Sequence, residues 1–129
     1  LQLFFEEDQS ETAERLVRSA EELLAPDLIR SECANAVWRR RRQGGITDEE
    51  AVEIVRRQLL FPLDIYPSED LIEDALKLAV QFDRTVYDCL YVALAVRTDS
   101  TMLTGDKRLA NGLADTPIAK HVTWIGDAS

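Results

Sequence analysis

Histidine and cysteine are nearly absent from this chain of 129 residues, with one of the first and two of the second. A catalytic zinc centre needs several such ligands, so zinc chemistry is disfavoured from the outset. The single histidine, His121, stands beside an expected strand near the tail and is given a surface or structural part. Cys33 and Cys89 each lie in an apolar stretch without Cys-x-x-Cys spacing, which suits small buried hydrophobes in a reducing compartment better than a disulfide. Five glycines and four prolines are too few for a low-complexity or disordered chain. No apolar run approaches the roughly 20 residues that span a bilayer. The opening Leu1-Gln2-Leu3-Phe4-Phe5 has no basic flank and runs into Glu6-Glu7-Asp8, the pattern of neither a leader nor a span. An excess of positive charge is also missing: 15 basic residues against 24 acidic ones give a net charge of −9. Such a molecule repels polyanions as a whole, which excludes indiscriminate binding but leaves room for a local basic patch or a carboxylate-held cation.

What is present is an ordinary globular composition, 46% apolar, in a length that suits one domain over residues 1–129. Ala13, Leu16, Val17, Ala20 and Leu24 recur at helical spacing behind a possible Ser10 cap. Leu23-Leu24-Ala25 suits a short buried strand, and Pro26-Asp27 is expected to open a helix that ends at Gln43 before Gly44-Gly45. Thr47-Asp48-Glu49-Glu50 has the capping-box pattern and leads into Val52, Val55 and Leu59. Leu63 to Tyr66 alternates as a strand does, and Ser68 is expected to cap a helix bearing Leu71, Ala75, Leu78 and Phe82. Val86 to Val96 is apolar nearly all round and should be buried among other elements. Thr101 to Thr104 reads as a buried strand, followed by a short helix stopping at Asn111-Gly112, and Val122 to Ile125 as a last strand. Strands alternating with helices, without hairpin signals, imply a mostly parallel sheet in a three-layer α/β/α sandwich.

Most acidic residues fall on helix faces or first turns, where solvent and the helix dipole account for them. Glu32, Asp88 and Asp106 do not fit that account as easily. Glu32 lies among Leu28, Ile29, Cys33, Ala36 and Val37, Asp88 opens the apolar helix, and Asp106 follows a buried strand at its carboxyl end. A buried unpaired carboxylate costs several kcal/mol, so each needs a partner, a raised pKa or a metal. The carboxyl ends of parallel strands are where open sheets hold ligands, and carboxylate oxygens without histidine or thiol suit Mg²⁺ or Mn²⁺. Each acid also has a plain explanation: Asp88 as the third residue after a Thr85 cap, Asp106 as a helix cap, Glu32 as partner to a nearby arginine. The run Arg39-Arg40-Arg41-Arg42 complements a helix carboxyl end. Arg39 is also two turns from Glu32 on the same face, with Asn35 between, and an arginine rim round an acidic pocket suits a phosphodiester backbone.

Three blocks, Pro26 to Trp38 around Glu32, Tyr87 to Ala95 around Asp88, and Leu103-Thr104-Gly105-Asp106-Lys107-Arg108-Leu109, in this order and at these intervals, resemble the PIN domain and in particular the VapC-type toxins of toxin–antitoxin pairs. The resemblance implies a Rossmann-like PIN fold, a Mg²⁺-dependent endoribonuclease acting in the cytoplasm, and a metal site made by Glu32, Asp88 and Asp106 with Thr104 as the hydroxyl residue beside the last. It also implies an antitoxin that covers the site and a homodimer of the toxin. Thr104, Asn35 and Arg39 are the expected substrate-positioning residues. The departure is at the amino end, where family members open with a strand ending in Asp-x-Ser. That strand and its aspartate are expected upstream of Leu1, in a longer protein. The competing expectations are a catalytically silent PIN-like module that binds protein or RNA, and a PIN ribonuclease of RNA processing.

Overall fold

The computed structural model describes residues 23–104 and 106–124. The expected helix from Ser10 and the strand ahead of Leu1 lie outside them, as does Ile125. The described chain runs β1 (Leu24–Pro26), α1 (Leu28–Arg42), α2 (Asp48–Leu59), β2 (Asp64–Tyr66), a 3-10 turn (Ser68–Asp70), α3 (Ile72–Phe82), α4 (Val86–Arg97), β3 (Met102–Thr104), α5 (Lys107–Leu113), a second 3-10 turn (Ala119–His121) and β4 (Val122–Trp124). Every strand pairing among these residues is parallel. Leu24, Ala25 and Pro26 stand opposite Asp64, Ile65 and Tyr66, and Met102, Leu103 and Thr104 opposite Val122, Thr123 and Trp124. The four strands form two pairs rather than one continuous sheet among the described residues.

α4 explains how the two pairs share a core. Residues 89 to 95 are buried without a break, so the helix has no solvent face over two turns. Tyr91, Val92 and Ala95 pack with Ala25, Ile29, Met102, Leu109 and Leu113 on one side. Cys89, Leu90, Ala93 and Leu94 pack with Leu24, Leu71 and Ala75 on the other. An all-round apolar sequence is therefore required, because any polar face would be dehydrated without a partner. Both cysteines are free thiols, and burial pushes that of Cys89 up to about 11.

Local chemistry sets most boundaries. Thr47 accepts from the Glu50 amide at 3.1 Å while the Glu50 carboxylate accepts from the Thr47 amide at 3.0 Å, the full capping box. Gly44 and Gly45 stop α1 in left-handed conformations, φ 89° and 103°, that only glycine adopts without strain. Across that turn Arg41 pairs with Asp48 at 2.5 Å, and the Arg30 guanidinium donates to the carbonyls of Gln58 and Phe61. These contacts tie α2 to α1, although α2 contributes no buried residue of its own.

Leu24 and Ala25 lie in the short buried strand expected there. Three boundaries differ from the sequence reading. Pro26 is the last residue of that strand, with α1 opening two residues later at Leu28. A proline tolerates the end of a short strand as well as a helix start. Ser68 opens a 3-10 turn instead of capping α3, and its hydroxyl donates to the Asp27 carboxylate, joining the two loops that leave β1 and β2. α5 continues through Asn111 and Gly112 to Leu113, because Leu113 is drawn into the core at 2% exposure.

Candidate active site

The three suspect carboxylates come from three helices. Glu32 lies a little over one turn into α1, Asp88 in the first turn of α4, and Asp106 is the residue before α5. All three side chains are half-buried. The Tyr91 hydroxyl, one turn along α4 from Asp88, donates to a Glu32 oxygen across 59 residues of chain. Thr85 caps α4 by accepting from the Asp88 amide at 3.1 Å, which fixes where that carboxylate leaves the helix. Asp106 caps α5, accepting from the amides of Arg108 at 3.0 Å and Leu109 at 3.1 Å. The fully buried Thr104 accepts from the Asp106 amide at 2.9 Å and so fixes the turn between β3 and the acid.

These acids feel one another. Burial raises the Glu32 pKa from its ordinary value, the Tyr91 hydrogen bond offsets part of that, and the negative charge of Asp88 raises it further. Asp88 is raised by burial first; hydrogen bonding from Thr85 lowers it, the Asp106 charge raises it, and Arg84 lowers it. Tyr91 is held well above its ordinary value by burial and by Glu32. Asp88 is thus electrostatically coupled to both other carboxylates, and the positive charge that reaches it is that of Arg84. Among the described residues no group of three His, Cys, Asp or Glu side chains stands as a ready-made metal cluster. The donor chemistry nevertheless fits a hard cation: oxygen ligands, partial dehydration and repulsion that a divalent charge would relieve.

The plain explanations are partly realised as well. Asp106 does cap its helix and Asp88 does follow a Thr85 cap, but Glu32 takes a tyrosine hydroxyl rather than an arginine. Asn35 and Arg39 are exposed further along α1, and neither side chain makes a hydrogen bond or ion pair among the described residues. His121 is structural: it is buried, and its Nδ1 lies 2.8 Å from the Ser100 carbonyl. Two residues were not singled out from sequence. Tyr91 carried a signal, since a hydroxyl on a wholly apolar helix needs a partner. Arg84 carried a fainter one, a cation at a helix amino end where the dipole disfavours it.

Comparison with known proteins settles the family. The chain matches the family model of the PIN domain over residues 1–112. It belongs to the PIN domain family. Ribonuclease VapC3 of Pyrobaculum aerophilum is 37% identical over 110 residues, 84% of each chain. The α/β order and parallel strand pairs agree with the three-layer PIN fold. No helix among the described residues of this PIN chain is long and apolar enough to cross a membrane.

The electrostatics give a pH dependence for the metal-free protein. Folding raises the pKa of Glu32 and Asp88, so the folded state binds protons more tightly than the unfolded one. The resulting penalty is full above the raised values and vanishes as pH falls to the ordinary carboxylate range, near 4. Melting in EDTA should therefore give a wild-type minus Asp88→Asn difference that narrows on acidification from pH 7 to pH 4.5. A difference independent of pH would remove the raised pKa of Asp88, from burial and repulsion together, from the account.

Proposed function

We propose that this PIN chain is a VapC-type endoribonuclease that hydrolyses RNA phosphodiester bonds with Mg²⁺, or Mn²⁺ of like coordination, held by Glu32, Asp88 and Asp106. The observation that carries the reading is the placement of three half-buried carboxylates on α1, in the first turn of α4 and at the cap of α5, with the Asp88 charge acting on Glu32 and the Asp106 charge on Asp88. The relative that is named a ribonuclease adds the substrate class. When bound, such a cation supplies Lewis acidity, lowering the pKa of water and neutralising charge that gathers on a phosphate. The protein's own residues do the positioning. Tyr91 holds a Glu32 oxygen, Thr85 fixes the root of Asp88, and Thr104 fixes that of Asp106. Asn35 and Arg39, exposed on the helix that carries Glu32, meet the RNA strand. The same reading brings a protein antitoxin that covers the site, a homodimer and a cytoplasmic setting.

Tyr91→Phe keeps the buried ring and removes only the hydroxyl. Loss of an outer hydrogen bond to a metal ligand costs about 10-fold to 100-fold in metal affinity or activity. Cleavage by the variant should fall by that factor and recover partly at higher Mg²⁺; unchanged activity would mean Tyr91 does not orient Glu32.

The test of function is incubation of purified protein with a mixed RNA pool. Cleavage in Mg²⁺ that stops in excess EDTA is expected, and undiminished cleavage in EDTA contradicts the metal site. A second reading, a silent binding module, draws on one observation: Glu32 and Asp106 already have protein hydrogen-bond partners. A folded protein that binds RNA or a partner but cleaves nothing in either metal would establish it. Growth arrest on expression, relieved by co-expressed antitoxin, separates a toxin from an RNA-processing nuclease.

A further inference from the structure

Arg84 is the cation whose charge acts on Asp88, and it is held against a glycine of another helix. It stands directly before Thr85, the cap of α4, and one turn before Asp88. Its guanidinium lies close against Gly112 on α5: a methyl group built on Gly112 would stand 1.9 Å from Nη2, 2.5 Å from Cζ and 3.0 Å from Nε. Nε is buried and has no hydrogen-bond acceptor among the described residues. The side-chain ion pairs among the described residues are Arg41 with Asp48, Arg57 with Glu53 and Lys77 with Glu73, none of them involving Arg84. Its charge still reaches the site, lowering the pKa of both Asp88 and Cys89.

A guanidinium with a dehydrated, unpaired N–H group is costly in a folded protein. A helix amino end offers no compensation, because its dipole repels a cation. Nε itself is closed to a ligand, but the side chain as a whole is only partly buried, and the two terminal amino groups of a guanidinium match two oxygens of a phosphate. A negatively charged protein that draws RNA to three carboxylates also needs a fixed cation at their edge, since the strand brings further phosphates beside the reacting one. We propose that Arg84, seated by Gly112, anchors an RNA backbone phosphate beside the acidic site and governs how tightly the strand is held.

Gly112 gives a way to test this without deleting the arginine. Its φ is not in the left-handed region, and alanine is the better helix former, so Gly112→Ala is expected to fold. The added methyl displaces the guanidinium, which is the movable end of a flexible side chain. The inference rests on the ribonuclease reading, so wild-type cleavage is measured first, and its absence overturns both. Binding is then measured by fluorescence anisotropy of a labelled single-stranded oligoribonucleotide in Mg²⁺, on a Glu32→Gln background that leaves Arg84 and Asp88 intact. Adding Arg84→Gln or Gly112→Ala should each weaken binding about 10-fold, with Arg84→Lys keeping part of the affinity. The slope of log affinity against log salt should flatten by about 0.7, the value for one phosphate contact on a single strand. In the cleaving protein the same changes should raise KM and leave kcat nearly unchanged. If both variants melt like their parent and bind RNA with unchanged affinity and salt slope, the inference is overturned while the ribonuclease reading stands. A fall in kcat at constant KM would overturn it too, assigning Arg84 to the support of Asp88.

Discussion

Asp88→Asn is expected to reduce RNA cleavage by about 10³-fold and, in EDTA, to raise the melting temperature of the protein. The first effect follows from removing the central carboxylate of a charge-stabilising site, where single contributions of this size are usual. The second follows from the repulsion Asp88 exerts on Glu32 and receives from Asp106, with burial the larger cause for both raised groups. Asparagine keeps the shape and removes the charge. Because Asp88 is nearly half exposed, solvent screening limits the relief to at most about 1 kcal/mol, or some 4 °C for a domain of this size. Differential scanning calorimetry checks the second effect alongside a cleavage assay for the first. A variant that loses both activity and stability would point to a structural part for Asp88, such as closing the first turn of α4.

Leu94→Ala should be the most destabilising conservative truncation on α4. Leu94 is 1% exposed and lies in the cluster with Leu24, Leu71 and Ala75, where three separate elements meet. Truncating a fully buried leucine costs about 3 kcal/mol in lost transfer energy and residual cavity, out of a total stability of about 5–15 kcal/mol. The melting temperature should fall by roughly 10 °C. Because the first turn of α4 carries Asp88, the variant should also lose cleavage at temperatures where the wild type still works, and regain it on cooling. A shift under about 2 °C would mean that α4 is less central to the core than its burial implies.

How much of this was legible in the sequence depended on the range of the interaction. The Thr47 capping box, the Gly44-Gly45 stop and the all-round apolar run of α4 are decided within a few residues, and each is found where the pattern placed it. The parallel pairing followed from element order and is also as expected. What failed was set from far away. Ser68 looks like a helix cap until Asp27, 41 residues earlier, takes its hydroxyl. Asn111-Gly112 looks like a helix stop, yet the core claims Leu113 and the bare glycine faces Arg84. Of the site, the three acids could be singled out because a carboxylate in an apolar setting calls for explanation. The Tyr91 to Glu32 bond spans the chain and left only the trace of a hydroxyl in a buried helix. Asn35 and Arg39 were grouped with Glu32 by helical phase, and their exposure leaves their part to be tested with RNA.

The most direct measurement is a calorimetric titration of the metal-free protein with Mn²⁺ at pH 7, repeated with Asp88→Asn. The account predicts a saturable site in the wild type that is lost or greatly weakened in the variant, with Mg²⁺ competing for it. Equal binding by both proteins, or none by a folded wild type that nonetheless cleaves RNA, would contradict it.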